Sequence, residues 1–355
     1  MRAGTALARA ERDRRSRAQR KRLRQFALLP REGPAEGLRR IALGQLDIAL
    51  ELLEGEMDDR NAALAVHETR KALKRLRALV RVLAHEIPER SFAVENACLR
   101  DMGRRLAGAR DAEVMLATLE RLLHRHPRKL GRRRSVARLR RQLEVERDRA
   151  ASGVLLGDAA MRRELIAELR ALRSRVLQWR LPERPGMALA APGLRRIYRQ
   201  GRRRYRRAAR GKDPRTRAMH EWRKRVKDLR YVAEMLDHRD PLADRGGHGG
   251  RRRRGGGRRR KLREAARIRR LAKRADALGE LLGEDHDLAV FAERLRSDPA
   301  IQLGRRSRRT LLRACARRRR RLRRRALRDG ARLYRRRPKA FVARVQAAYA
   351  RGARV

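Results

Sequence analysis

HETRKALKRLR at His67–Arg77 and HEWRKRVKDLR at His220–Arg230 agree at seven of eleven positions across an offset of 153 residues. The shared residues are His67/His220, Glu68/Glu221, Arg70/Arg223, Lys71/Lys224, Lys74/Lys227, Leu76/Leu229 and Arg77/Arg230. Most are polar, so core packing alone does not account for the match. At about 100° per residue, His67, Arg70, Lys71, Lys74 and Arg77 fall in one helical sector of about 120°. Val66, Leu73, Leu76, Val80 and Leu83 lie opposite. The second copy repeats this with His220, Arg223, Lys224, Lys227 and Arg230, placing Tyr231 on the cationic side and Met219, Trp222, Val226, Leu229 and Leu236 on the apolar side. The spacing predicts two amphipathic helices, each carrying a cationic ladder about 15 Å long.

Two further matches follow the same division. GLRRI occurs at Gly37–Ile41 and again at Gly193–Ile197, and LAGARDAEV at Leu106–Val114 aligns with LGEDHDLAV at Leu282–Val290, sharing Leu106/Leu282, Asp111/Asp287 and Val114/Val290. Their order along the chain predicts an internal duplication, with a first repeat over 37–181, a second over 193–352, and a Pro/Gly-rich junction at Pro182–Pro192 between them. Residues 1–36 hold eleven Lys/Arg against four Asp/Glu and read as a basic N-terminal arm, disordered or partly helical. Residues 245–260, nearly all Gly and Arg, read as a disordered insertion in the second repeat. Between Arg305 and Arg337 the chain is very basic, yet Leu311, Cys315, Leu322, Ala326 and Leu333 trace an apolar stripe along one or two helices.

The composition bounds the fold and the partners. With 41 % hydrophobic but only 3 % aromatic residues, the core is expected to be Leu, Ala and Val. No alternating β-branched run is present, so the expected fold class is all-α, with paired helical bundles. A net charge of +60 is strongly self-repelling unless a polyanion neutralises it. Cys98 and Cys315 are isolated and lack CxxC spacing, against a zinc site or a disulfide framework. No stretch reaches the roughly 18 apolar residues of a membrane span, and the expected location is cytoplasmic.

Lysine usage singles out the ladders. Ten of the 101 basic residues are Lys, and four of those ten are Lys71, Lys74, Lys224 and Lys227. An ammonium is a compact point charge where a guanidinium is a planar fork, so Lys at matched positions in an Arg-writing chain indicates a chemical requirement. Like charges at this spacing repel along a helix, and an extended chain of phosphates would relieve them. His67 and His220 head the two ladders and are expected as anion contacts whose protonation phosphate favours. No HxxxH or HExxH pair occurs and the neighbouring cations repel metals, so no metal site or cofactor is expected there. Asp111 and Asp287 are supporting residues, expected to orient the cations through ion pairs or to cap a helix; a magnesium site is the alternative.

HETRKALKRLR and HEWRKRVKDLRY, followed by LAGARDAEV and LGEDHDLAV, resemble the two halves of a CHAD domain, the conserved histidine α-helical domain, over residues 37–352. The resemblance implies two pseudo-symmetric helical bundles whose basic helices line a central groove or pore, and binding of inorganic polyphosphate there. It implies as binding positions His67, Arg70, Lys71, Lys74, Arg77, His220, Arg223, Lys224, Lys227, Arg230 and Tyr231. A CYTH triphosphatase domain often accompanies this family, with the signature ExExK; the nearest string here, EGEMD at Glu54–Asp58, lacks the Lys.

The leading expectation is therefore non-enzymatic binding of inorganic polyphosphate, with polyphosphate granules as a location. A nucleic-acid-associated basic protein is a second reading, disfavoured by scarce aromatic stacking platforms, although the basic tails would bind nucleic acid non-specifically. A His-dependent phosphoryl-transfer enzyme is a third, disfavoured because the sequence has no GxxxxGK[ST] loop and no acidic cluster to hold magnesium.

Overall fold

The glycine of the second GLRRI, Gly193, sits where a Cβ would strike the main chain of Val82, so only glycine lets these two segments cross so closely. The computed structural model describes residues 23–29, 32–56, 58–131, 133–155, 157–210, 216–237 and 256–352. These form α1 (Pro34–Glu54), α2 (Asp59–Val82), α3 (Glu89–Arg105), α4 (Ala107–Arg125), a π-helical turn (Pro127–Gly131), α5 (Arg134–Leu155), α6 (Ala159–Leu177), α7 (Ala191–Ala209), α8 (Thr216–Met235), α9 (Gly256–Ser297), α10 (Arg305–Leu333) and α11 (Pro338–Gly352). No strand occurs among the described residues, as the sequence pattern led one to expect.

Local chemistry sets several boundaries. Asp58 caps α2 by accepting from the Asn61 N–H at 2.7 Å, and Asp158 caps α6 through the Met161 N–H at 2.8 Å. Pro occupies the first turn of α1 and of α7, where its missing N–H costs nothing. The junction between α6 and α7 turns at Gly186, whose φ of 60° favours glycine.

Two cores result. The larger joins residues of α1, α2, α3, α6, α7, α8 and α11, with Ile268, Ala275, Leu278 and Leu282 of α9 and Ala326 of α10. The smaller lies between α4, the π turn, α5, the second half of α9 and the first half of α10, around Leu119, Leu139, Phe291 and Leu311. The pairing of helices runs in parallel along the two halves: α1 packs on α2 and α6, α7 on α8 and α11, while α4 packs on α5 and α9 on α10.

The structure corrects the sequence reading at three places. The core is mostly Leu, Ala and Val, but the few aromatics concentrate inside it: Trp222, Tyr198 and Phe291 are among the largest fully buried side chains. Tyr198 stacks on Phe341 at 3.7 Å between centroids and donates its hydroxyl to Leu333 O at 3.1 Å, a low-entropy way to tie α7 to the C-terminal helices. The basic arm ends earlier than residue 36, because Phe26, Ala27, Leu28 and Leu29 are buried. Arg40 of the first GLRRI draws this segment in, donating to Gln25 O at 3.0 Å and Ala27 O at 2.6 Å. The rest of the arm, residues 1–22, lies outside the described residues, as does 245–255 of the Gly/Arg insertion; residues 256–260 are the start of α9.

Candidate functional site

Both cationic ladders form on helices as expected, α2 carrying the first and α8 the second. Neither ladder stands wholly in solvent. Each leans one edge on the helix that follows it, antiparallel. Arg70 donates to Gly103 O at 2.6 Å and Arg77 reaches Asn96 Oδ1 at 3.4 Å, both on α3. On α8, the His220 ring meets the His286 ring of α9 at 4.2 Å, the Arg223 guanidinium packs beside Gly283, and Arg230 pairs with Asp276 at 2.6 Å. Arg230 also pairs with Glu234 at 2.7 Å. Lys227 is drawn to the same helix, where Glu280 and Asp287 favour its charge.

The other edge reaches outward. His67, Lys74 and Lys224 are exposed and Lys71 is half-buried. In both copies the matched Glu braces the Lys three residues later. Glu68 holds the Lys71 ammonium at 2.9 Å, and Glu221 holds Lys224 at 2.7 Å. The repeated Glu of the motif is thus a partner of the repeated Lys.

Burial shapes the electrostatics. Burial, reinforced by Arg223 and Arg230, pushes Lys227 down to about 8. Burial also lowers His220, with Lys224 and Arg223 adding to it, and pushes His286 down to about 4. Both effects favour the neutral imidazole of His220, and an approaching anion would favour its protonation. The Nδ1 atoms of His220 and His286 are both buried and make no hydrogen bond. Arg77 is lowered to about 10 by burial and by its neighbour Arg81.

Two other expected site residues move. Tyr231 is 7 % exposed and faces inward, edge-on to Phe26, so it belongs to the core and not to a ligand face. The helical-wheel angle that put it beside Arg230 could not show that the Phe26 segment folds over it. Asp111 is exposed, with no ion pair among the described residues, so it orients no ladder cation. Asp287 lies 3.6 Å from Arg121 of α4 and near Lys227, a placement that fits an orienting role.

The sequence reading missed His286. The signal lay in LGEDHDLAV, where Glu280, Gly283, His286 and Asp287 share one face at three- and four-residue spacing. It also missed the brace behind this face. Glu284 accepts from Arg318 at 2.6 Å and Asp285 from Arg319 at 3.1 Å, both of α10. Asp285 also holds Arg323 at 3.0 Å. Such bidentate and shared pairs fix α9 against α10.

Comparison with known proteins agrees with this architecture. A family model described as CHAD domain matches residues 40–239. Among solved structures, PptA from Streptomyces chartreusis is similar with a TM-score of 0.53 at 17 % identity, covering 84 % of this chain and 99 % of that one. The CHAD domain from the plant Ricinus communis is similar with a TM-score of 0.52 at 21 % identity, covering 85 % and 93 %. At these identities the likeness is one of fold. No curated protein sequence matches the chain.

Proposed function

We propose that this chain, which belongs to the CHAD domain family, binds inorganic polyphosphate through the outward edges of α2 and α8 and acts as a non-enzymatic binding protein. The family is associated with polyphosphate binding. The observation that carries the reading is the repeated Glu-braced lysine, Lys71 on Glu68 and Lys224 on Glu221, set on two helices that keep a large excess of cations. A braced ammonium has lost its rotamer freedom before the ligand arrives, so less ordering entropy opposes binding. His67 and Lys74 extend the first edge. Burial disfavours the charged forms of His220 and Lys227, and phosphate oxygens would supply the missing counter-charge, so His220 would take up a proton and Lys227 would keep its own to higher pH.

Polyphosphate suits this surface better than nucleic acid does. The matched residues are cations and imidazoles, and the one aromatic among the expected contacts, Tyr231, is in the core, which leaves no stacking platform for bases. Retention at polyphosphate granules follows from the same binding. No helix among the described residues is long and apolar enough to cross a membrane.

The test is a competition titration with labelled polyphosphate at moderate and high salt, with free phosphate measured in the same tubes. Unlabelled polyphosphate should displace the label far better than single-stranded RNA or duplex DNA, and no phosphate should be released. RNA displacing as well as polyphosphate would replace this reading with general nucleic-acid binding, and release of phosphate would make the protein an enzyme.

A further inference from the structure

A second concentration of positive charge lies away from the ladders, in the smaller core's outer wall. Arg305, Arg309, Arg313 and Arg317 recur at every fourth residue of α10, which places them in one stripe about 18 Å long. Lys129 and Arg133, from the π turn and the segment after it, face that stripe across a cavity of about 680 Å³. Leu130 and Ala314 add apolar surface to its lining. None of these six cations pairs with a carboxylate among the described residues, and no carboxylate lines the cavity. The contrast within α10 is sharp, because Arg318 and Arg319, on the side facing α9, are both neutralised by Glu284 and Asp285.

An unneutralised i, i+4 row of arginines is unfavourable for the helix that carries it. The π turn opposite is a rare geometry that is frequent at functional sites. Gly304 leaves the first turn of α10 without a side-chain cap, so the positive end of the helix adds to the same field. The lining holds no Phe, Tyr or Trp to stack a base. Guanidinium groups recognise phosphate oxygens in pairs, and apolar surface beside them strengthens each contact.

We propose that this cavity is a separate binding site for a compact anion carrying several phosphate groups. The proposal does not depend on the ladders binding polyphosphate. The phosphates belong either to the end of a linear polyphosphate chain or to a small soluble ester whose phosphates crowd one ring.

The experiment uses the full chain with Lys71, Lys74, Lys224 and Lys227 all changed to Ala, which removes the ladder lysines, and titrates it calorimetrically with tripolyphosphate and with inositol hexakisphosphate. Binding at one site is expected. In that background, Arg309→Gln with Arg313→Gln should weaken it by about tenfold or more, as loss of two charge-assisted contacts requires. The control pair Arg320→Gln with Arg321→Gln, also exposed on α10 but outside the cavity, should change it by less than about threefold. Tighter tripolyphosphate points to a chain end, and tighter inositol hexakisphosphate to the ring ester. No binding in the ladder-less chain would overturn the cavity site while leaving the ladder reading standing. Equal losses from the two Arg pairs would overturn it as well, by showing that bulk charge does the binding.

Discussion

Arg81 of α2 donates to Asp228 of α8 at 2.7 Å, and this ion pair has a counterpart, Arg75 with Glu234 at 4.0 Å. Arg75 and Asp228 are 153 residues apart, and so are Arg81 and Glu234, the same offset that relates the two ladders. In these two pairs Arg81 meets the counterpart of Arg75, and Arg75 the counterpart of Arg81, which is the reciprocity found where surfaces related by a two-fold axis touch. Arg225 adds a third cation to this contact, 3.0 Å from Asp228.

Among the described residues Asp228 is the carboxylate that pairs with two largely buried guanidiniums, those of Arg81 and Arg225. Asp228→Asn should lower stability by about 3–5 kcal/mol, read from the midpoint of urea unfolding, because Arg81 and Arg225 are left buried without compensation. Replacing Arg81, Arg225 and Asp228 together by apolar residues of similar size should recover most of it. A loss from Asp228→Asn below about 1 kcal/mol would show that solvent reaches this contact.

The ladder lysines are expected to outweigh bulk arginine. Changing Lys71, Lys74, Lys224 and Lys227 to Ala should weaken polyphosphate binding far more than changing Arg320, Arg321, Arg324 and Arg325 to Ala, although both sets remove four charges. Fluorescence titration at two salt concentrations separates them: the arginine set should alter mainly the salt slope. Similar affinity losses would mean that net charge alone attracts the ligand.

Lys227 sets an upper pH limit. Its pKa, near 8, lies below the ordinary 10.5, so at neutral pH its charge is held at a cost that is relieved as the pH rises through 8. Polyphosphate affinity should fall as pH rises from about 7 to about 9, and Lys227→Met should flatten this part of the profile. The same substitution should stabilise the unliganded protein by about 1–3 kcal/mol at pH 7. A variant that is both less stable and unchanged in its pH profile would remove Lys227 from the charged edge.

His220 and His286 set a limit on the acid side. Both are lowered from 6.5, His286 to about 4, so the folded protein binds fewer protons than the unfolded chain once the pH drops below about 6.5. Stability is full above that pH and is lost as pH falls toward 4, by about 1 kcal/mol per pH unit for each histidine that stays neutral. His286→Phe should shallow the decline between pH 7 and 5 in thermal melts. If polyphosphate binds as proposed, it should oppose the decline, because phosphate oxygens beside His220 would favour its protonated form. Identical slopes in wild type and His286→Phe, with and without ligand, would place the proton uptake elsewhere.

Residues 67–77 and 220–230 carry their helical period and their cations in the order of the letters, and the GLRRI repeat marks where each half begins. These local properties depend only on neighbours along the chain, so the all-α class and the two ladder helices were legible without coordinates. Tyr231 was not, since its helical angle is shared with Arg230 and only the fold brings Phe26 over it. Nor was the division of each ladder into a buried and an outward edge, which depends on how α3 and α9 lie across α2 and α8. Desolvation of Lys227 and His220 follows from that placement, as does the meeting of His220 with His286, 66 residues further on. Which residues are charged, and which helices carry them, is written in the local order of the letters. Which of those charges are buried depends on the residues packed against each group, and those come from distant parts of the chain.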